Sequence, residues 1–222
     1  MPRPTITDRR SKVLAVARDL LVRDGFKAMK MTTLAQLVGI GTGALYLEFE
    51  SKSSLVEELL RDGTRVMAQD VARRLSMGKH DPTKLSDVYL VGAEVLFADP
   101  FYTAAFLDPD GVLGDAVASM HQDRYKTRHD GLRDYLHELS EAGLLKEGVD
   151  LEGLALTMSS YTIGLLTAAR ILGPISAEHL RASLITMADL LGGLERIPSA
   201  HVEVPEAYSQ MLNRLTKENL DD

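Results

Sequence analysis

Cysteine and tryptophan are absent from this chain of 222 residues, and proline is sparse, with eight residues. Without cysteine the chain can form neither disulfides nor thiolate metal sites, which fits a reducing cytosol. No stretch approaches the roughly 18 uninterrupted apolar residues that a membrane-spanning helix needs. The N-terminus is basic but lacks the apolar run of a secretory signal. We therefore expect a cytoplasmic protein.

Signals for β-structure are missing as well. The chain has no alternating apolar stretch of strand length, no Asn-Gly hairpin turn and no internal repeat. Apolar residues recur instead at helical spacing, between caps, glycines and prolines that mark helix ends. The pattern predicts an all-α fold, with helices over about 7–25, 33–38, 42–49, 53–77, 82–98, 111–142, 150–172, 176–191 and 205–217.

The net charge is −7, but it is unevenly distributed. Residues 1–60 carry nine Lys and Arg against seven Asp and Glu, whereas the remaining residues carry 16 against 25. A basic N-terminal part on an acidic body suits a protein that binds DNA through its N-terminal part alone.

Residues 32–52 have the spacing of two short helices joined by a glycine turn. Thr32 and Thr33 are N-cap residue types, and Gln36 follows Thr33 at the distance of a capping box. The glycines at 39–41 turn the chain, which is the arrangement that places a second helix in the DNA major groove.

The second of these helices, over residues 42–49, has two faces. Leu45 and Phe49 share the face that closes a small core, while Gly43 and Leu47 share the opposite face. Small residues there allow the backbone close to a base edge, and a tyrosine hydroxyl or a lysine ammonium can meet a phosphate oxygen. The N-terminal arm could reach DNA or be disordered, and the lysines could equally be solvated. The candidate DNA contacts are Arg3, Lys30, Thr32, Thr33, Thr42, Gly43, Ala44, Tyr46, Leu47 and Lys52.

The run GIGTGALY at 39–46, followed by Phe49, Ser51, Lys52 and Leu55, resembles the DNA-binding signature of TetR-type repressors. The resemblance covers about the first 60 residues. It implies a three-helix DNA-binding domain over 1–57 and an α-helical ligand-binding and dimerisation bundle over 58–222. The protein would then be a repressor that binds a palindromic operator as a homodimer and is released by a small molecule, with no cofactor, no metal and no catalytic site.

The motif departs from the family at several positions. Gly41 stands where the family commonly has a hydroxyl residue, Thr42 and Glu50 where it often has a basic residue, and Leu47 where it often has histidine. Residues 42–50 contain no cation, and Glu48 falls on the flank of the helix. We expect weak phosphate anchoring by this helix and greater dependence on cations outside it.

The second half contains two further candidate sites. Aromatic and methionine side chains could form ordinary core or line the apolar effector pocket that the family resemblance implies; they are Tyr89, Phe97, Phe101, Tyr102, Phe106, Met120, Tyr125, Met158 and Tyr161. The helix over 151–172 is apolar around most of its circumference, so it is either a core helix or part of a dimer interface. The resemblance favours an interface that includes Leu165, Ala168, Leu184, Met187 and Leu191.

Two other functions compete with DNA binding. A nucleotide-binding enzyme would need the glycines at 39–43 to follow a strand, but they follow a helical stretch, and the third glycine comes one residue early. A helical dimerisation and ligand-binding module with weak or no sequence-specific DNA binding stays open, because residues 42–50 carry two carboxylates and no cation.

Overall fold

The structure is a computed structural model, and it describes residues 6–107, 113 and 118–196. This part of the chain is helical apart from short connections and one isolated antiparallel bridge between Leu145 and Glu195. None of the helices in the described ranges is long and apolar enough to cross a membrane. The helices are α1 (Ile6–Ala28), α2 (Met31–Val38), α3 (Thr42–Glu48), α4 (Lys52–Ser76), α5 (Leu85–Ala98), α6 (Pro100–Leu107), α7 (Ala118–Glu141), α8 (Leu151–Leu172) and α9 (Ala177–Gly192).

Several predicted helix ends are confirmed by their caps. The Asp150 carboxylate accepts a bond from the Gly153 N–H at 3.1 Å, and Ser176 accepts from the His179 N–H at 3.1 Å. These bonds satisfy N–H groups that the first turn of a helix cannot pair. Gly143 follows α7 with a φ of 70°, the left-handed conformation that glycine adopts at helix ends.

Two predicted helix starts are wrong. The proposed start at Asp81-Pro82 forms a turn, because the Asp81 carboxylate accepts bonds from the N–H and hydroxyl of Thr83, at 2.9 and 2.6 Å. Helix α5 therefore begins at Leu85, three residues later. The capping box at Thr33 does not form either, since α2 begins at Met31 and both threonines lie inside its first turn.

The chain divides into two compact units, and the division falls inside α4, after Gly63. Residues 100–122, which include α6, belong to the first unit together with the N-terminal helices. The predicted boundary at residue 57 lies in the same helix and stays a prediction. The C-terminal helix predicted over 205–217 lies outside the described residues.

The first unit has one apolar core, to which α1, α2, α3, α4 and α6 all contribute. Leu21, Leu34 and Leu45 are fully buried there, one from each of the first three helices. Helix α6 adds Phe101, whose ring packs directly against Gly63 of α4. A Cβ at Gly63 would overlap the ring edge and lie 3.2 Å from Cδ1, so only glycine allows this contact without a shift.

In the second unit, α5 packs along α9. Helix α8 joins them through Tyr161, whose hydroxyl donates to the Ser183 carbonyl at 2.8 Å and lies 2.6 Å from the Ser183 Oγ. Helix α7 contacts α8 where His129 Nδ1 lies 3.1 Å from Ser159 Oγ. Hydrogen bonds therefore supplement apolar packing between these helices.

Candidate nucleic-acid interface

The turn between α2 and α3 depends on Gly39. This residue has a φ of 82°, and its N–H donates to the carbonyls of Ala35 and Gln36 at 3.0 and 3.1 Å. Side chains other than glycine rarely adopt this conformation. Gly41 then returns to an extended conformation as the N-cap of α3. The glycine turn thus ends α2 and starts α3 within three residues, as the sequence predicts.

The two faces of α3 are those that the sequence predicts. Leu45 is fully buried and Phe49, just past the helix, is 3 % exposed. On the opposite side of the helix Leu47 is 90 % exposed, Tyr46 is 48 % exposed and Gly43 is also exposed. Thr42 and Ala44 are half-buried on the flanks. The outer face of α3 is therefore small, apolar and accessible along the helix.

The N-terminus of α2 is a second accessible feature of this module. Lys30 is its N-cap residue, and within the described part of the chain no capping side chain bonds the N–H groups of the first turn. Lys30, Thr32 and Thr33 are all exposed. Free N–H groups, two hydroxyls and an ammonium together suit a phosphate oxygen. Arg3, another predicted contact, lies outside the described residues.

Arginines of α1 hold the end of α3. Arg9 forms an ion pair with Glu48, whose side chain is only 9 % exposed. Arg10 bonds Glu58 of α4 with two nitrogens, donates to the Glu48 carbonyl at 3.2 Å, and lies 4.6 Å from the centre of the Phe49 ring. The Glu48 carboxylate is thus directed to α1 and away from the outer face of α3, which agrees with its predicted place on the flank. The role of the arginines is not visible in the sequence, because the partners are 38 to 48 residues apart.

Lys52, another predicted DNA contact, is bonded to the backbone of its own module. Its ammonium donates to the Phe26 carbonyl at 2.7 Å and the Met29 carbonyl at 3.0 Å, and lies 4.3 Å from the Phe26 ring centre. These carbonyls belong to the segment that leads into α2. Lys12 acts similarly at the other end of α2, donating to the Val38 carbonyl at 2.9 Å. Both lysines therefore fix α2 in place.

The predicted pocket residues fall into the two units. Tyr89 and Tyr161 have ring centres 6.5 Å apart in the second unit, where Met158 is buried and Phe97 is half-buried. The remaining aromatic pair, Phe101 and Tyr102, lies in the first unit, with ring centres 6.4 Å apart, and Arg18 lies over both rings. The side chains of Phe106, Met120 and Tyr125 lie outside what the structure describes.

The Tyr89 hydroxyl oxygen is buried and forms no hydrogen bond with the described residues. Burial raises the pKa of this hydroxyl and Tyr161 adds to the rise, while the Thr162 side chain, which is near but does not meet hydrogen-bond geometry, opposes it. The Thr162 hydroxyl itself donates to the Met158 carbonyl at 3.0 Å. Tyr89 therefore stays protonated at physiological pH and offers a buried donor. A buried polar group without a partner costs free energy.

The predicted dimer interface stays a prediction. Leu184, Met187 and Leu191 are 2, 7 and 2 % exposed, so the protomer itself covers most of their surface. Leu165 and Ala168 are half-buried. Apolar periodicity cannot show which side of such a helix faces its own core. The exposed large apolar residues of α8 and α9 are Leu156, Ile171, Leu172 and Leu190.

Helices α2 and α3, with the glycine turn between them and an accessible outer face on α3, define a helix-turn-helix DNA-binding protein. Residues 13–59 match the family of bacterial regulatory proteins described as the tetR family. The helix-turn-helix module belongs to this TetR family, and the chain is a DNA-binding regulator.

Relatives extend the likeness beyond the module. The chain is 24 % identical over 187 residues to the HTH-type transcriptional repressor KstR2 of Mycolicibacterium smegmatis, which covers 84 % of this chain and 90 % of that protein. Over 53 residues it is 40 % identical to KstR2 of Rhodococcus jostii, covering 24 % of this chain and 26 % of that one. A regulator from Saccharomonospora viridis, solved with choline, shares the fold with a TM-score of 0.65 at 17 % identity, covering 86 % of this chain and all of that one.

Proposed function

We propose that this protein is a ligand-responsive transcriptional repressor that binds a palindromic operator as a homodimer. The observation that carries the proposal is the accessible, uncharged outer face of α3 beside the free N-terminus of α2. The outer face of α3 can enter a major groove, while the N-terminus of α2 can bind a phosphate at the edge of that groove. The repressor role is supported by the KstR2 relatives, which are repressors by name.

Homodimer formation through α8 and α9 is supported by their exposed faces. Leu156, Ser160 and Gly164 recur at four-residue spacing on α8, and all three are exposed. A Cβ at Gly164 would meet nothing within 4 Å, so another helix can come close there. Two copies of α3 about 34 Å apart would contact successive major grooves on one side of DNA. A leucine-to-glutamate change at Leu156 is then expected to shift the protein towards monomer in sedimentation.

The effector proposed for the second unit is a small, largely apolar molecule with a hydrogen-bond acceptor. Tyr89 supplies the reason, since its buried hydroxyl remains protonated and has no partner among the described residues. A ligand carbonyl could accept this bond, and the ring of Tyr161, whose centre lies 6.5 Å from that of Tyr89, would contact the rest of the molecule. Ligand binding would favour a state of the dimer that no longer fits the operator.

Selection of bound duplexes from random DNA by the full-length chain tests the proposal. We expect an inverted repeat whose half-sites are about one helical turn apart. A library of small molecules is then screened for release of the selected duplex. If selection enriches no sequence, the protein is a helical module without specific DNA binding and the proposal is wrong.

A further inference from the structure

The exposed side of α3 is dominated by one leucine. Leu47 is 90 % exposed, although α3 has only seven residues and already buries Leu45 in the core. The sole charged side chain of α3, Glu48, is turned towards Arg9. Charge therefore cannot supply the base selectivity of this helix.

Gly43 makes the leucine more prominent. It lies four residues before Leu47, on the same helix face, and a Cβ placed on it would meet nothing within 4 Å. The helix surface at that point is bare backbone. A base pair that approaches the outer face of α3 therefore comes close to the backbone at Gly43 and meets the leucine side chain first.

A leucine side chain neither donates nor accepts a hydrogen bond. All four bases present polar atoms in the major groove, and these would lose their water against leucine without a replacement. Thymine alone among the four bases adds a methyl group to this groove. The Tyr46 hydroxyl, which is on the flank, remains available for a phosphate.

We propose that Leu47 is a specificity-determining residue that recognises the 5-methyl group of a thymine in each half-site. This inference rests on the proposed operator binding and adds the chemistry of the base that is read. It requires each selected half-site to contain a thymine whose methyl group contributes to binding.

Replacement of thymine by deoxyuridine tests this directly, because the two differ only in the methyl group. Each thymine of the selected duplex is changed in turn, and affinity of the full-length protein is measured by fluorescence anisotropy. We expect about a fourfold loss at one position per half-site, which is the factor for burying one methyl-sized group. Changing both half-sites should cost roughly fifteenfold.

Two variants separate a contact of Leu47 from a general effect of uracil. With Leu47→Ala, the uracil penalty should fall below about twofold at the same positions, as a double-mutant cycle requires. With Leu47→Gln, uracil should be tolerated at the same positions, because glutamine binds the paired adenine through N6 and N7 and not the methyl group. The exposure of Leu47 means that neither change disturbs the core.

The outcomes distinguish this inference from the function beneath it. A selected inverted repeat that tolerates uracil at every thymine overturns the thymine contact but leaves operator binding intact. If the uracil penalty is as large in Leu47→Ala as in the wild type, another residue contacts the methyl group and the proposed role of Leu47 is wrong. No enriched sequence at all contradicts operator binding, and the thymine contact falls with it.

Discussion

Replacing Lys52 with methionine tests whether this lysine positions α2 or contacts a DNA phosphate. The ammonium donates to two carbonyls, at 2.7 and 3.0 Å from Phe26 and Met29. A hydrogen bond from a charged group contributes about 1.5–3 kcal/mol to stability, and water can replace part of it at this half-buried site. We therefore expect Lys52→Met to lower the free energy of unfolding by about 2 kcal/mol. Chemical denaturation of the full-length chain measures this loss.

The same change is expected to weaken DNA binding without altering its salt dependence. A lysine that contacts phosphate contributes about 0.9 to the slope of log K against log salt, whereas one that positions α2 contributes nothing. Exposed Lys30, at the N-terminus of α2, provides the contrast. We expect Lys30→Met to reduce the slope by about 1 per subunit with stability unchanged. Lys52→Met should lower log K by the same amount at every salt concentration, with the slope unchanged.

The assay is a fluorescence anisotropy titration of the selected duplex between about 50 and about 200 mM salt. Lys79→Met, which removes an exposed cation from the second unit, serves as the charge-matched control. If Lys52→Met reduces the slope as much as Lys30→Met and leaves unfolding unchanged, Lys52 is a phosphate contact. The positioning role would then be refuted. Two of the three N–H groups of the Lys52 ammonium bond carbonyls, so the third could donate to a phosphate.

Three further changes test other parts of the structure. Gly63→Ala should lower the free energy of unfolding by about 1–2 kcal/mol, because the added Cβ overlaps the Phe101 ring. Gly92→Ala, where a Cβ meets nothing within 4 Å, should raise it by up to about 1 kcal/mol. Equal effects of the two changes would contradict the contact between Phe101 and Gly63. Tyr89→Phe should raise the free energy of unfolding by about 1 kcal/mol, because it removes an unpaired buried hydroxyl. Tyr161→Phe should lower it by a similar amount, because it removes the hydrogen bond to the Ser183 carbonyl. A loss of stability in Tyr89→Phe would show that the Tyr89 hydroxyl has a hydrogen-bond partner. Glu50→Lys should tighten binding to all DNA several-fold at about 50 mM salt, because it replaces a carboxylate that repels phosphate by an ammonium that attracts it, and unchanged affinity there would rule out such a repulsion.

Local signals account for the parts of the fold that the sequence predicts. The turn at Gly39 and the caps at Asp150 and Ser176 depend on residues within four positions of each other. The two faces of α3 follow from helical periodicity alone. Asp81 is the instructive failure, because an aspartate before proline can start a helix or close a turn, and the hydroxyl of Thr83 favours the turn here.

Long-range contacts account for what the sequence does not predict. Arg10 meets residues 38 to 48 positions away, and Lys52 meets carbonyls 23 and 26 positions before it. No local pattern distinguishes these side chains from solvated or phosphate-binding ones. Leu184 illustrates the same limit in the second unit, since the apolar stripe of α9 does not show whether its own protomer or a partner covers it.

The central claim is that the outer face of α3 reads DNA sequence. Its most direct test compares binding of the selected duplex with a scrambled duplex of equal composition, for the wild type, Leu47→Glu and Met77→Glu. Met77 is also exposed but lies in the second unit, so it controls for the added charge. We expect a preference of at least about a thousandfold in the wild type and in Met77→Glu, lost in Leu47→Glu. Equal binding of both duplexes by the wild type, or full preference in Leu47→Glu, would contradict the claim.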